Sequence, residues 1–523
     1  MRIVLADLPW APVDVPSLAL GILTSATESR FPADEVEVLH ANVDFCEWVS
    51  EQRSFTFDDY GYHSVGSSFD GCGDWVFSSA LHGVPSWRAD EFDASMEGRW
   101  TQHQRDLSHA LHALAPRFVD RLAHRIVATA PDLVGFASTF RQYTASLAAA
   151  RRVKELNPAI RTVLGGADIG GVQGAAMHRN FPAVDFVVRG SGEVAFADLL
   201  TALADGGDLA PIPGLCWRDR SGTAHANPTS QATVSSSAIV RPAFRDHGLR
   251  FHYETRPNVR RHRLAELARA GIVQVRPGIE SLNKRVLSLM DNGVSGCTNV
   301  RLLRDARSER IRPIWSYCYG FPGEHDTDYL PVLEQFPALH HLAPPTSACR
   351  IMFERSSPFL DHREPGFAEL RPAGHYRIVH DLPERELFDL AHLFSAPEQG
   401  IGEETIARLE SAVDVWRSAH RDCRLVHWNM DDVVRFFNSR PHFAWREFTI
   451  ADPLGRALLR LLDDPRGLSS LVKRLTAELG ANVTHDEVRR ILDRWTSLGL
   501  VFHDGGQYIH VATAASTGNR SLH

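Results

Sequence analysis

The chain has 523 residues, 44% of them hydrophobic and 23% charged, which is the profile of a globular protein with room for two or three domains. A formal net charge of −8 excludes the broad basic surface of a general nucleic-acid binder. No apolar run reaches bilayer-spanning length, and Met1–Asp7 lacks the long apolar core of a signal peptide, so a cytoplasmic location away from membranes is expected.

From residue 1 to about 235, strand and helix signals alternate. Ile3–Ala6 is an apolar run closed by Pro9, with a helix from Ser17 to about Ala26 and a second strand at Val36–Leu39. Residues from about 50 to 100 are rich in Gly, Ser, Asp and aromatics, and read as an insertion or lid. His103–Ala130 is strongly helical. Three strand–helix units follow: Leu133–Ala137 with Tyr143–Leu156, Thr162–Leu164 with a helix near Gly174, and Phe186–Val188 with a helix through Leu203. Such alternation predicts a doubly wound parallel sheet whose ligand sits beyond the carboxyl ends of the strands. The expected pocket walls are Pro9-Trp10, Ser138-Thr139 with Gln142, Gly165 to Asp168, and Gly190 to Glu193. These glycines do not follow G-x-G-x-x-G, so a dinucleotide is poorly supported. A plainer alternative is that they only permit tight strand-to-helix turns.

Several phrases in this half resemble the cobalamin-binding domain of radical-SAM proteins that mature ribosomally made peptides. They are Pro131 to Phe136, Ser138-Thr139-Phe140, Leu164 to Asp168, and Asp185 to Glu193. The resemblance implies a Rossmann-like domain over residues 1–235 with a corrinoid on its strand ends, held by Pro9, Trp10, Ser138, Thr139, Gln142, Gly165, Gly166, Asp168, Gly190, Gly192 and Glu193. The Asp-x-His-x-x-Gly motif that gives cobalt a histidine in other cobalamin proteins is absent.

After a hairpin predicted at Leu215–Arg218 and Thr223–Ala226, alternation resumes at about 250. Strands are expected at Arg250–Thr255, Gln274–Ile279, Pro313–Tyr319 and Arg350–Phe353, with helices at Arg261–Ala270 and Asn283–Met290. This reads as part of a parallel α/β barrel. Tyr253 to Asn258, Gln274 to Ser281, Tyr319 to Glu324 and Arg355 to Phe359 resemble later barrel strands of the same family. In that family the Pro-Gly-Ile-Glu-Ser phrase lies beside S-adenosylmethionine, so the resemblance implies that Glu254, Arg276, Glu280 and Ser281 are remnants of that pocket.

The family opens its barrel with a C-x-x-x-C-x-x-C loop, whose three soft thiolates hold a [4Fe–4S] cluster. Here the seven cysteines are Cys46, Cys72, Cys216, Cys297, Cys318, Cys349 and Cys423, none within four residues of another. From about Ala238 the chain already resembles the helix before the third barrel strand, so a strand, the cluster loop, a helix and another strand are missing. A truncated barrel over 236–360 without a [4Fe–4S] cluster is expected. Cys297, Cys318 and Cys349 stand on separate elements and read as buried hydrophobes. An edge left by the lost strands calls for cover, by the cobalamin domain, the 50–100 insertion or a second chain.

Residues 361–450 form a family-specific helical or irregular region. In 451–523, helices at Leu458–Leu462 and Leu468–Leu479, a capping box at Thr484–Glu487, and Asp504-Gly505-Gly506 between two short strands suggest a small winged-helix-like domain. Its balanced charge favours docking of a peptide or protein over DNA, and a structural cap stands equally. The 26 histidines, including His109 with His112 and His340-His341, show no zinc-like spacing.

Three functions are carried forward. One is a cobalamin-binding, cluster-free protein acting on a precursor peptide or a related natural product, as a non-radical enzyme or as the partner of an intact radical-SAM enzyme. The second is an active cobalamin-dependent radical-SAM C-methyltransferase. The third is a non-catalytic scaffold. The edge left by the missing strands also makes a homo-oligomer an expected possibility. No nucleophile–base pair singles out a catalytic residue.

Overall fold

The structure is a computed structural model that describes every residue except 15–16, 140, 191, 230–250, 256, 362–368, 397–399, 431 and 516–523. The chain divides into two compact units: Met1–Ser237 with Met352–His362 and Leu370–Ser395, and Ala238–Ile351 with Arg363–Glu369 and Ala396–His523. This differs from the expected domain limits twice. Part of the stretch assigned to the barrel and the irregular region joins the first unit, and the C-terminal residues join the barrel-like strands in one body.

The first unit is built on β1 (Arg2–Asp7), β2 (Glu35–Leu39), β3 (Leu133–Ala137), β4 (Arg161–Gly165), β5 (Phe186–Val188), β6 (Leu215–Arg218) and β7 (Ala224–Ala226), side by side in the order β2-β1-β3-β4-β5-β6-β7. The first five are parallel, and β6 and β7 close one edge as an antiparallel hairpin. Ile3, Val4, Leu5 and Ala6 are all buried, which is why β1 reads as an unbroken apolar run and not as an alternating one. Helices Tyr143–Leu156, Gly171–Asn180 and Gly192–Asp205 each follow a strand, the first with Ala145, Ala148, Ala149 and Ala150 buried. Helix Gln102–Ala128 opens with a reciprocal cap between Thr101 and Gln104. One core cluster gathers Ile3, Leu5, Leu133, Val163 and Val188 with Phe196, Leu199 and Leu200.

The stretch from 50 to 100, expected as an insertion or lid, is largely helical. It carries helices Phe57–Gly61, Cys72–His82 and Ala89–Ser95, and nine residues of Cys72–His82 are buried. Gly71 and Gly83, which read as loop residues, take left-handed conformations at the two ends of that helix. Ser79 is accommodated inside because its hydroxyl donates to the His112 carbonyl, 2.6 Å away. Phe353–Glu354, Arg371–Pro372 and Leu393–Ser395 add a small antiparallel sheet to this unit.

The second unit contains β8 (Phe251–Thr255), β9 (Ile272–Pro277) and β10 (Arg312–Pro313) in one parallel sheet, and β11 (Tyr317–Tyr319) beside β12 (Ala348–Arg350) in a parallel pair. The single strand expected at Pro313–Tyr319 is therefore two, and that at Arg350–Phe353 is likewise divided. Ile314 still donates to the Val275 carbonyl before the chain changes partner at β11. Leu425–Met430, Val433–Asn438 and Glu447–Ile450 form an antiparallel meander within the stretch expected to be irregular. Helices Pro453–Leu461, Leu468–Leu479 and His485–Ser497 precede the hairpin Val501–Asp504 to Gln507–His510, with Arg466–Gly467 as its third strand.

This C-terminal part is anchored on helix Gly296–Ser308 through buried charges. Arg304 bonds Asp305 and the carbonyls of His510 and Asp463, and Arg301 bonds Asp464. Arg440, fully buried, donates to the carbonyls of Ala338 and Gly499. Among the described residues, no helix is long and apolar enough to cross a membrane.

Candidate functional site

In the strand order of the first unit, β1 and β3 lie at the point where the winding direction reverses, and such sheets bind ligands beyond the carboxyl ends at that point. Asp7 ends β1 almost wholly buried, and Gln142, just ahead of the helix after β3, donates to its carboxylate and to the Leu8 carbonyl at 3.2 Å. Burial raises the Asp7 carboxyl, while the Gln142 bond and nearby His40 pull it partly back. The Gln142 side-chain oxygen accepts from the Thr139 backbone at 2.8 Å, so one amide ties the β1 end to the β3 loop.

The β3 and β4 ends are interlocked. Ser138 N–H donates to the Gly165 carbonyl at 2.8 Å, and the Ser138 carbonyl accepts from Asp168 N–H at 3.1 Å. The Asp168 carboxylate accepts from Arg141 N–H at 3.0 Å and from the Ser138 hydroxyl at 3.4 Å. Gly166 sits at φ +128°, and a Cβ there would lie 2.2 Å from the Ser138 carbonyl oxygen, so only glycine fits without moving backbone.

Beyond β5 the surface opens. A Cβ on Gly190 would meet nothing within 4 Å, and one on Gly192 would only touch Leu23. Val172 and Val194, in the first turns of the helices after β4 and β5, are 39% and 55% exposed. One carboxylate oxygen of Glu193 is buried with no hydrogen-bond partner among the described residues. Arg189 braces the edge from behind through the carbonyls of Gly171 and Gly214.

The expected wall residues thus separate into two groups. Ser138 and Gln142 are buried supports, whereas Thr139, Gly165, Gly166, Asp168, Gly190, Gly192 and Glu193 keep some surface. Pro9 and Trp10, also expected as walls, are buried. The Trp10 indole N–H donates to the Gly73 carbonyl at 2.9 Å, and its ring stacks on His63 and meets Phe45 and Tyr60 edge-on. A large ring with its one polar atom satisfied is most stable inside.

Sequence reading missed a buried polar cluster behind this edge. Asp74 is 1% exposed; Thr144 donates to it at 2.8 Å, and the Arg141 guanidinium lies 4.0 Å away. Burial pushes its carboxyl up to about 7, against the pull of Arg141 and Thr144. Beside it, Tyr143 bonds His380 at 3.3 Å. Burial holds His375 down to about 3, and its Nε2 lacks a partner among the described residues. The available signal was Gly71 and Gly83 as helix brackets, which place Asp74 in the first turn of a helix and not in a loop.

In the second unit, Glu254 and Arg276 are register partners on β8 and β9, and the Glu254 side chain lies outside the described set. Arg276 is exposed. The Glu280 carboxylate accepts from the Asn292 amide at 2.8 Å, and the Glu280 carbonyl accepts from Cys318 N–H at 2.7 Å. Ser281 is fully buried, with its carbonyl taking the Asn299 amide at 2.8 Å. Glu324 accepts from Gly320 N–H at 2.8 Å and is pushed up to about 7 by burial. Cys297 is buried elsewhere, 3.4 Å from the Gln507 carbonyl, while Cys318 and Cys349 are brought face to face on β11 and β12. Among the described residues no three His, Cys, Asp or Glu side chains converge as a metal site.

A separate cavity of about 460 Å³, lined by His82, Arg151, Phe181 and His380 among others, includes residues that precede β5 and so belongs to the opposite end of that strand.

Comparison with solved structures finds the radical S-adenosylmethionine methyltransferase TsrM from Kitasatospora setae, with a TM-score of 0.48 and 14% identity over 80% of this chain and 89% of that one. The cobalamin-dependent S-adenosylmethionine radical enzyme OxsB gives a TM-score of 0.37 and 11% identity over 62% of this chain and 49% of that one. Among curated proteins, the uncharacterized methyltransferase PH0819 of Pyrococcus horikoshii is 34% identical over 89 residues, 17% of this chain. The chain spans about a fifth of that relative's length, 19%. Residues 102–200, which carry β3, β4, β5 and the interlocked loops beyond them, match the B12 binding domain family.

Proposed function

We propose that the first unit binds cobalamin across the ends of β3, β4 and β5. The observation that carries this reading is a coincidence of place. The matched segment, residues 102–200, contains both the glycine-backed Ser138–Asp168 interlock and the open surface around Gly190. The residues fit the group. A corrin ring is broad, apolar across its face and rimmed with amides. The residues that would hold it are the exposed Val172 and Val194, the bare backbone at Gly190, and the Asp168 and Glu193 carboxylates. When bound, it supplies carbon-transfer chemistry that no side chain of this chain offers.

The protein residues have narrower tasks. Gln142 and Asp168 position the loops, and Gly166 lets the ends of β3 and β4 close up on each other, which would leave their upper surface clear for the ring. Asp74, raised to about 7 by burial, lies 4.0 Å from the Arg141 guanidinium and helps to place that side chain behind the loop.

The chain acts, in this proposal, without a [4Fe–4S] cluster, in maturing a ribosomally made peptide or related natural product. It does so as a non-radical enzyme or as the partner of an intact enzyme. The support is the cysteine spacing, which has no C-x-x-x-C-x-x-C. S-adenosylmethionine is kept as a further possible cosubstrate of the second unit; of the residues that the resemblance sets beside it, Ser281 is buried, Glu280 accepts from Asn292, and Arg276 is exposed. The C-terminal helices and hairpin are proposed as a winged-helix-like element that docks the peptide.

Anaerobic reconstitution with hydroxocobalamin, iron and sulfide tests this reading. Cobalt near one per chain without stoichiometric iron is expected. About four irons per chain, one [4Fe–4S] cluster, overturns the cluster-free part. Neither metal leaves the scaffold.

A further inference from the structure

In the second unit, three register pairs join β11 to β12: Tyr317 with Ala348, Cys318 with Cys349, and Tyr319 with Arg350. The two cysteines lie 31 positions apart in sequence, yet directly oppose each other on neighbouring parallel strands, where paired side chains share a face. Both keep partial exposure, and both are free thiols. Adjacent strands run about 4.8 Å apart, inside the Cα separation of about 4.4–6.8 Å that a disulfide spans. We propose that Cys318 and Cys349 form a reversible disulfide, a redox-modification site in the second unit. It does not depend on the cofactor reading.

The two sulfurs have different roles. Cys349 is held below the usual thiol range, first by its bond with Cys318 and then by the hydroxyls of Ser347 and Ser316, and Cys318 is held above it by Cys349, by burial and by the charges of Glu280 and Glu324. Cys349 is taken as the attacking thiolate. The oxidant is a small disulfide, R–S–S–R. The Cys349 thiolate attacks one of its sulfurs, the R–S–S–R bond breaks, and RS⁻ leaves. The Cys318 proton passes to the departing thiolate, the Cys318 sulfur attacks the Cys349 sulfur, and a second RS⁻ leaves and is protonated by solvent. Two protein thiols are oxidised and one small disulfide is reduced to two thiols.

Reversibility follows from the strands. Ideal disulfide Cβ atoms sit about 3.8 Å apart, closer than strands normally run, so the bond draws β11 and β12 together and is readily reduced. The link adjoins Tyr319 and Arg350, where the guanidinium lies 5.6 Å from the ring centre and the phenol donates to Glu410 at 3.2 Å.

Cleavage after arginine releases both cysteines in one peptide, Ile311–Arg350. The folded full-length chain is incubated with oxidised glutathione, alkylated without reduction, and mapped by mass spectrometry. The expected result is that peptide two hydrogens lighter and unalkylated, restored to two alkylated cysteines by dithiothreitol. In Cys318→Ser, Cys349 should instead retain glutathione as a stable mixed disulfide. Two alkylated cysteines in the oxidised wild type, or either one joined to a different cysteine, would overturn the proposal.

Discussion

The ends of β3 to β5 and the ends of β9 to β12 use the same plan, parallel strands running into loops and helices, and finish it differently. Beyond β4 and β5 the chain presents backbone: Gly166 folds under the Ser138 carbonyl, and Gly190 faces open space. Beyond β9 and β11 it presents side chains that already have partners, Glu280 with Asn292, Ser281 buried against Asn299, and Glu324 on Gly320. A strand end becomes a ligand edge when its polar groups are held from beneath and its upper surface is left bare. Where side chains fill that surface, the same plan yields a more packed end. The segment that matches a cofactor-binding family is the one with the bare edge.

The strongest way to break this comparison is to fill the first edge from below. Gly166→Val places a side chain on the Ser138 carbonyl and is expected to weaken hydroxocobalamin binding at least 100-fold, about 3 kcal/mol, in a visible-absorbance titration. Glu280→Gln in the second unit should leave that titration unchanged. Equal loss in both, with both chains folded by circular dichroism, would erase the distinction.

The two buried carboxyls give a matched pair. Asp74 and Glu324 are both raised to about 7 by burial, so the folded state binds more protons than the unfolded state between about pH 4 and 7. Stability from each is therefore present at low pH and lost as pH rises through that window. Asp74→Asn should raise unfolding free energy at pH 8 by on the order of 2–4 kcal/mol and leave it unchanged at pH 4. Glu324→Gln should do the same. Only the Asp74 variant should also alter cobalamin affinity, since only Asp74 lies behind Arg141 and the Asp168 loop.

How much of this was readable in the sequence depended on how local the cause was. Leu133–Ala137 and Phe186–Val188 are apolar runs with clear stops, and the structure begins and ends them at those residues. Helix Cys72–His82 was hidden because Gly71, Gly73 and Gly83 look like loop punctuation, and only tertiary packing makes them caps and contacts. Trp10 looked like a wall because it follows a strand; its partners at Phe45, Tyr60, His63 and Gly73 lie 35 to 63 positions away. The pairing of Cys318 with Cys349 needs a parallel neighbour that spacing alone cannot supply.

A smaller effect comes from the amide clamp. Gln142→Ala leaves Asp7 buried without its main donor and is expected to cost about 1–3 kcal/mol in denaturant unfolding, with cobalamin affinity reduced about tenfold. Asn299→Ala, which strips the Ser281 carbonyl of its donor, should show a similar stability loss and unchanged cobalamin affinity. The smallest effect is expected at the rim. Val194→Ser should leave stability within about 0.5 kcal/mol while weakening cobalamin two- to fivefold, about 0.4–1 kcal/mol, because the side chain is 55% exposed and free to cover a ligand.

The most direct measurement is cobalt retained per chain after incubation with hydroxocobalamin and removal of free cofactor, for the wild type and Gly166→Val side by side. The wild type should hold about one cobalt per chain, one ring per strand-end edge, and the folded variant almost none. A folded wild type that retains no cobalt, or a folded variant that retains as much, would contradict cobalamin binding on the strand ends of the first unit.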